Sequence, residues 1–197
     1  ESLQYEEDSR FKWPGKRSKN LLEINYTLSN HLFHKAINSY YEGNNIKNAH
    51  FSMHFQRIKN NSGTGWIHRD NNIFTFMTYL SKEDNIDCGT SFYELKEDQI
   101  LPVHSDYEVG LRQKTVKGET YTPKEINFKE GWENNFFNKT LSIKDKFNRF
   151  ICFDANMYHS ANNFSNNTDI ERIFLICFVH GIETAIRSPK ERILAIE

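Results

Sequence analysis

The chain has 197 residues, 38% of them hydrophobic, which is enough for one sizeable core and makes a single domain over residues 1–197 the expectation. A formal net charge of −1 argues against a strong nonspecific nucleic-acid binder, and no stretch reads as a signal peptide or a membrane span. Three cysteines, Cys88, Cys152 and Cys177, are sparse and odd in number, so free thiols in a reducing cytoplasm are expected.

Residues 1–48 read as an arm followed by a helix. The arm is polar apart from Phe11 and Trp13, whose rings can dock on the core or line an entrance. Leu28, Leu32, Phe33, Ala36, Ile37 and Tyr40 then recur at helical spacing, and Gly43 supplies a stop. From Ala49 to Lys59 the pattern changes to alternation. It places His50 and His54 on one face and Phe51, Met53 and Phe55 on the other, as in a strand.

A loop, Asn60 to Gly65, feeds Trp66 and Ile67 into His68-Arg69-Asp70. Residues i and i+2 of an extended backbone project to the same side, so the His68 imidazole and the Asp70 carboxylate can converge on one cation. Ile73 to Leu80 is rich in β-branched and aromatic residues and reads as a strand with Ile73, Thr75, Met77 and Tyr79 on one face. Thr75 and Tyr79 would be buried hydroxyls needing partners, and a ligand carboxylate is one; in the other reading Tyr79 packs its ring and sends its hydroxyl to a backbone carbonyl. Leu95 to Lys146 has no strong periodicity, and residues 96–146 read as an irregular insertion, a lid or binding surface pinned to the body by Trp132, Phe136 and Phe137. His104 lies within it.

Core strands resume over residues 147–180. Arg149 to Asp154 reads as a buried strand and Tyr158-His159-Ser160 as a short one. His159 thus completes His-x-Asp followed at long range by His, the two-His-one-carboxylate set that leaves positions open on a non-haem Fe(II). His50 and His54 are rival ligands that lack a companion carboxylate. The last strand, Glu171 to Val179, puts Arg172, Phe174, Ile176 and Phe178 on one face. An arginine there is an exposed surface residue or is buried against an anion.

Taken in order, GTGWIHRDNN, TFMTYLS, CGTSFYE, RFICFD, YHSANN and ERIFLICFV resemble the 2-oxoglutarate- and Fe(II)-dependent oxygenases, most of all the oxygen-sensing prolyl hydroxylase branch. The resemblance covers roughly the last two-thirds of the chain, although Cys88-Gly89-Thr90 departs from the family's commoner paired glycines. It implies a mainly β fold: a double-stranded β-helix, or jelly roll, built from residues 49–95 and 147–180, with an N-terminal supporting helix and the 96–146 insertion. It also implies Fe(II) as metal, 2-oxoglutarate as cosubstrate and O2 as oxidant, with His68, Asp70 and His159 as ligands. Arg172, Tyr79 and Thr75 would hold 2-oxoglutarate. Trp66, His54 and Gln56 would stand in the substrate pocket, with simple core packing as the other reading of Trp66. The implied reaction is hydroxylation of a peptide or metabolite, with succinate and CO2 as coproducts. The other readings are a cupin-like metal enzyme without a keto acid and a non-catalytic jelly-roll binding module.

Overall fold

The computed structural model describes residues 3, 5–7, 14–38, 41, 45–59, 63–82, 88–101, 106–117, 119–164 and 171–185. Of the residues singled out above, Phe11, Trp13, Tyr40, Gly43, Asn60, Asn61, Ser62 and His104 lie outside these.

Alternation builds the larger of two antiparallel sheets. Strands β1 (Tyr5–Glu7), β2 (Lys16–Ser18), β3 (Ile46–Ile58), β4 (Phe74–Tyr79), β7 (Phe150–Asp154) and β9 (Arg172–Thr184) lie in the order β1-β2-β3-β9-β4-β7. The smaller sheet has the order β6-β5-β8, from β5 (Gly89–Leu95), β6 (Phe137–Lys144) and β8 (Tyr158–Ala161). At the start of β5 Gly89 has φ 141, and a Cβ there would stand 2.1 Å from the carbonyl oxygen of Ile143, so only glycine allows β6 to pair so closely.

Because strand side chains alternate, each sheet has an inner and an outer face. Between the sheets, Phe92 of β5 packs with Tyr79, Phe153, Phe174 and Ile176 of the larger sheet. The outer face of the larger sheet, with Phe51, Met53, Phe76 and Val179, is covered by α1 (Leu21–Ile24) and α2 (Tyr26–Ile37), where Phe33 stacks on Phe51 at 4.2 Å between ring centroids. Asn25 starts α2 by accepting a hydrogen bond from the Leu28 amide at 3.0 Å. Two facing antiparallel sheets with a chain crossing repeatedly between them make this a mainly β, double-stranded β-helix fold.

Residues 96–146 differ from the irregular segment expected. They form α3 (Asp106–Lys117) and α4 (Pro123–Phe136) and then β6, the edge strand of the smaller sheet. The start of α4 is set locally: Thr122 and Glu125 form a reciprocal capping box and Pro123 occupies the first turn. The Glu125 carboxyl, held by Lys114 and then by the Thr122 amide, is lowered to about 2. Leu111 of α3 and Trp132 of α4 pack with Trp66, Ile67 and Phe137 over the outer face of the smaller sheet. Trp132 is 3% exposed, so Trp132→Ala should remove about 3–5 kcal/mol of stability. Denaturant titration checks this, and a loss below about 1 kcal/mol would mean that the helices are not anchored here.

Candidate metal centre

The segment from Gly63 to Asp70 runs antiparallel beside β8 and extends the smaller sheet irregularly. Gly65 donates to the Ala161 carbonyl at 2.8 Å, and His68 and His159 exchange both backbone hydrogen bonds, at 3.0 and 2.9 Å. A Cβ on residue 65 would meet the Ala161 nitrogen at 2.4 Å, which explains the glycine two residues before Ile67. The Asp70 amide donates to the Ala155 carbonyl at 2.9 Å. Backbone pairing thus brings residues 91 positions apart into one rung, and the two imidazole rings stand 4.5 Å apart.

The side chains converge. His68 Nε2 lies 3.5 Å from Asp70 Oδ1, His159 Nε2 lies 3.5 Å from Asp70 Oδ2, and one ligand atom from each of the three lies within 4.8 Å of the others. Cis ligands of an octahedral cation at about 2.1 Å stand roughly 3 Å apart, so small side-chain adjustments suffice. No other such group occurs among the described residues. His50 is exposed and faces His180 at 5.3 Å between rings, and His54 Nδ1 bonds the Ser18 carbonyl at 3.0 Å.

Hydrogen bonds settle the tautomers. His68 Nδ1 donates to the Trp66 carbonyl at 2.7 Å and His159 Nδ1 to the Met157 carbonyl at 2.9 Å. A carbonyl only accepts, so each Nδ1 carries the proton and each Nε2 presents a lone pair toward Asp70. Burial, helped by the nearby His68, lowers His159 to about 4, which keeps it neutral at physiological pH; Asp70 pulls weakly the other way. Burial alone would raise the Asp70 carboxyl, but the flanking His68 and His159 rings and the Thr75 hydroxyl outweigh this and leave it lowered. Two imidazole nitrogens and one carboxylate form a donor set that fits a divalent first-row cation.

Thr75 lines the cleft described below, and its hydroxyl donates to Asp70 Oδ2 at 2.9 Å and accepts from Asn72 Nδ2 at 3.1 Å. Partners of this kind orient a ligating carboxylate, and their loss typically costs 10–100-fold in metal affinity, so Thr75→Val should weaken Mn(II) binding by about tenfold or more. Equilibrium dialysis measures this, and an unchanged affinity would show that Asp70 needs no such support.

The inner face of the larger sheet leads from these residues to Arg172. A cleft of about 70 Å³ is lined by His68, Asp70, His159, Thr90, Arg172 and Arg17, with phenylalanine walls. That is room for several waters. Arg172 is 1% exposed, and its anion is internal: Nε donates to Asp145 Oδ2 at 2.8 Å, and Nη1 donates to the Asn163 carbonyl at 3.0 Å. Nη2 has no hydrogen-bond partner among the described residues and stays open to the cleft. Tyr79 lies fully buried beside it, its ring centre 5.7 Å from the guanidinium carbon, and its hydroxyl bonds Thr90 Oγ1 at 2.8 Å. Burial raises the Tyr79 phenol above its ordinary value despite that bond.

Gln56 is buried at the cleft and bonds Arg17 and the Pro14 carbonyl at 3.0 and 3.2 Å. Trp66 turns away from the cleft into the outer cluster, 6.0 Å from Trp132 between ring centroids. Sequence reasoning passed over Asp145, Thr90 and Arg17. Asp145 follows the alternating run of β6 between two lysines, and nothing in a single sequence pairs it with a residue 27 positions on.

The model of a family of unknown function, DUF6445, matches residues 1–170. The chain belongs to that family. Among solved structures this DUF6445 member is similar to EvdO2 from Micromonospora carbonacea var. aurantiaca, at 11% identity over 90% of this chain and 72% of that one, with a TM-score of 0.50. EvdO2 complexed with 2-oxoglutarate matches at 13% identity over 87% and 66%, with a TM-score of 0.43. TqaL, an Fe(II)/α-ketoglutarate-dependent dioxygenase, matches at 12% over 88% and 66%, with a TM-score of 0.40. At such identities the first of these likenesses bears on fold, and it agrees with the two-sheet architecture. No curated protein matches the chain. No helix among the described residues is long and apolar enough to cross a membrane.

Proposed function

We propose that the chain is one oxygenase domain that uses Fe(II), 2-oxoglutarate and O2 to hydroxylate a substrate. The observation that carries this reading is the juxtaposition, in one cleft, of the His68, Asp70 and His159 cluster with the open Nη2 of Arg172. A two-His-one-carboxylate set leaves coordination positions for a chelating keto acid and oxygen, and a guanidinium edge suits a distal carboxylate. When bound, iron would activate O2, the oxidant, and 2-oxoglutarate would supply two of the four electrons as it is decarboxylated to succinate and CO2, the substrate C–H bond supplying the other two and gaining the hydroxyl.

The chain's own residues do the positioning. His68 and His159 present Nε2, Thr75 holds Asp70, and Arg172 anchors the far end of the cosubstrate, with Tyr79 and Thr90 bracing the wall beside it. Asp70 fills the position that halogenating relatives give to halide, so hydroxylation is the reading for this chain. A peptidyl prolyl residue is the substrate class that the sequence resemblance favours. The cytoplasm is the proposed location, in keeping with three cysteines, Cys88, Cys152 and Cys177, that are not joined in disulfides.

Asp145 favours a second reading. Because it already balances Arg172, the buried arginine does not by itself demand an external anion, and a cupin-like metal enzyme without a keto acid also suits the cleft. Anaerobic titration with Fe(II) and 2-oxoglutarate, followed by succinate detection after oxygen is admitted to peptide and metabolite pools, separates them. Metal-dependent succinate formation supports the oxygenase; metal binding without any 2-oxoglutarate binding or consumption supports the second reading.

A further inference from the structure

The ion pair behind the cleft is built more completely than counter-charge alone requires. Arg172 and Asp145 have side chains 1% and 0% exposed and meet through Nε and Oδ2 at 2.8 Å. Asp145 is fixed in turn by its own amide, which donates to the Cys88 carbonyl at 3.0 Å at the junction of β5 and β6. Nη1 is taken by the Asn163 carbonyl, so the planar guanidinium is held at two of its nitrogens and only Nη2 is left for a ligand. A fork gripped in this way cannot swing, and its charge is cancelled a few Å from where a ligand would bind.

We infer that Asp145 is a positioning residue: it aims Arg172 and cancels its net charge, so the cleft reads the anchoring end of its ligand by hydrogen-bond geometry more than by charge. The inference rests on the reading of this cleft as a 2-oxoglutarate site. Two substitutions at the same position then act in opposite directions. Asp145→Asn keeps an acceptor for Nε and removes the negative charge, so Arg172 should attract a carboxylate more strongly. Asp145→Ala removes both, so Arg172 loses its aim. A residue that only supported the fold would give weakened or unchanged binding in both variants.

The test is anaerobic calorimetric titration of the Mn(II)-loaded protein with 2-oxoglutarate, with circular dichroism to confirm folding. The Asn variant should bind at least about fivefold more tightly than the parent, because a charge this close acts through a low effective dielectric. The Ala variant should bind at least about tenfold more weakly. Tightening in the Asn variant together with loss in the Ala variant supports the inference. A folded Asn variant that binds no more tightly than the parent overturns it and leaves the functional reading standing. A parent that takes up Mn(II) but no 2-oxoglutarate overturns both.

If the Asn variant does not fold, the parent decides. The 5-methyl ester of 2-oxoglutarate keeps the keto acid and a carbonyl acceptor oxygen but lacks the distal charge. It should bind within about tenfold of 2-oxoglutarate if the clamp is neutralised, and a gap beyond about a hundredfold overturns the inference.

Discussion

His159→Ala and Asp70→Ala should each lower Mn(II) or Fe(II) affinity by at least about a hundredfold and abolish 2-oxoglutarate turnover, exceeding the 10–100-fold typical of the groups that merely orient ligands. The expectation follows from how little else the cleft offers. Among the described residues no fourth His, Cys or acidic group joins His68, Asp70 and His159, so a variant lacking one of them retains two ligands on a mobile cation. The backbone exchange between His68 and His159 does not depend on either ring, so the rung should persist and the variants should fold. His50→Ala and His54→Ala serve as controls and should leave the affinity within about twofold, the scatter expected of surface changes. A His159→Ala protein that bound Mn(II) and decarboxylated 2-oxoglutarate as the parent does would remove the assignment.

What could be read from the sequence was what local periodicity encodes. The alternation of Thr75, Met77 and Tyr79 against Phe74 and Phe76 gave both the strand and its inner face, since Phe74 and Phe76 pack under α2 while the other three face the second sheet. His68 and Asp70 were legible as a candidate pair because they stand two apart on an extended backbone, and His159 by its order after them and before the arginine-bearing strand. The helices of residues 96–146 were less legible. Most of α3 is polar and only isolated positions such as Leu111 are buried, so no apolar stripe repeats along it. The capping signal Thr122-Pro123-Lys124-Glu125 was present at the start of α4 and could have been used.

The partners of buried polar groups were hidden for a different reason. A buried arginine announces that an anion exists but not which one, and the register that brings β6 to β5 and the end of β6 to Arg172 is a tertiary property. The same holds for Tyr79, whose hydroxyl reaches Thr90 across the interior rather than a backbone carbonyl. Arg17 reaches the cleft only because β2 pairs with β3 opposite Gln56, a long-range pairing that the polar arm does not foreshadow.

In the proposed reading Arg172 serves both folding and cosubstrate binding, and its variants should show the two separately. Arg172→Ala leaves Asp145 charged in the interior, and breaking a buried pair on one side costs about 3–5 kcal/mol, so a large fall in Tm is the first expected result. That instability would blur any binding measurement, which makes Arg172→Lys the informative variant. Lysine keeps a positive charge opposite Asp145 but lacks the planar fork whose second nitrogen lies open to the cleft. The 2-oxoglutarate concentration needed for half-maximal turnover should rise by about tenfold or more, since a charge-assisted hydrogen bond contributes roughly 1.5–3 kcal/mol. Tyr79→Phe should have a smaller effect, because the Tyr79 hydroxyl is already bonded to Thr90. Mn(II) affinity without cosubstrate should barely change in either variant, because neither residue belongs to the metal cluster. Pyruvate has the chelating keto acid but no distal carboxylate. It should serve the parent poorly and lose little more in Arg172→Lys. Unchanged 2-oxoglutarate dependence in a folded Arg172→Lys protein would move the clamp elsewhere. The next residue to test would then be Arg17, which lines the same cleft, rather than Arg57, which forms a half-exposed bidentate pair with Glu171 at 2.6 and 2.8 Å.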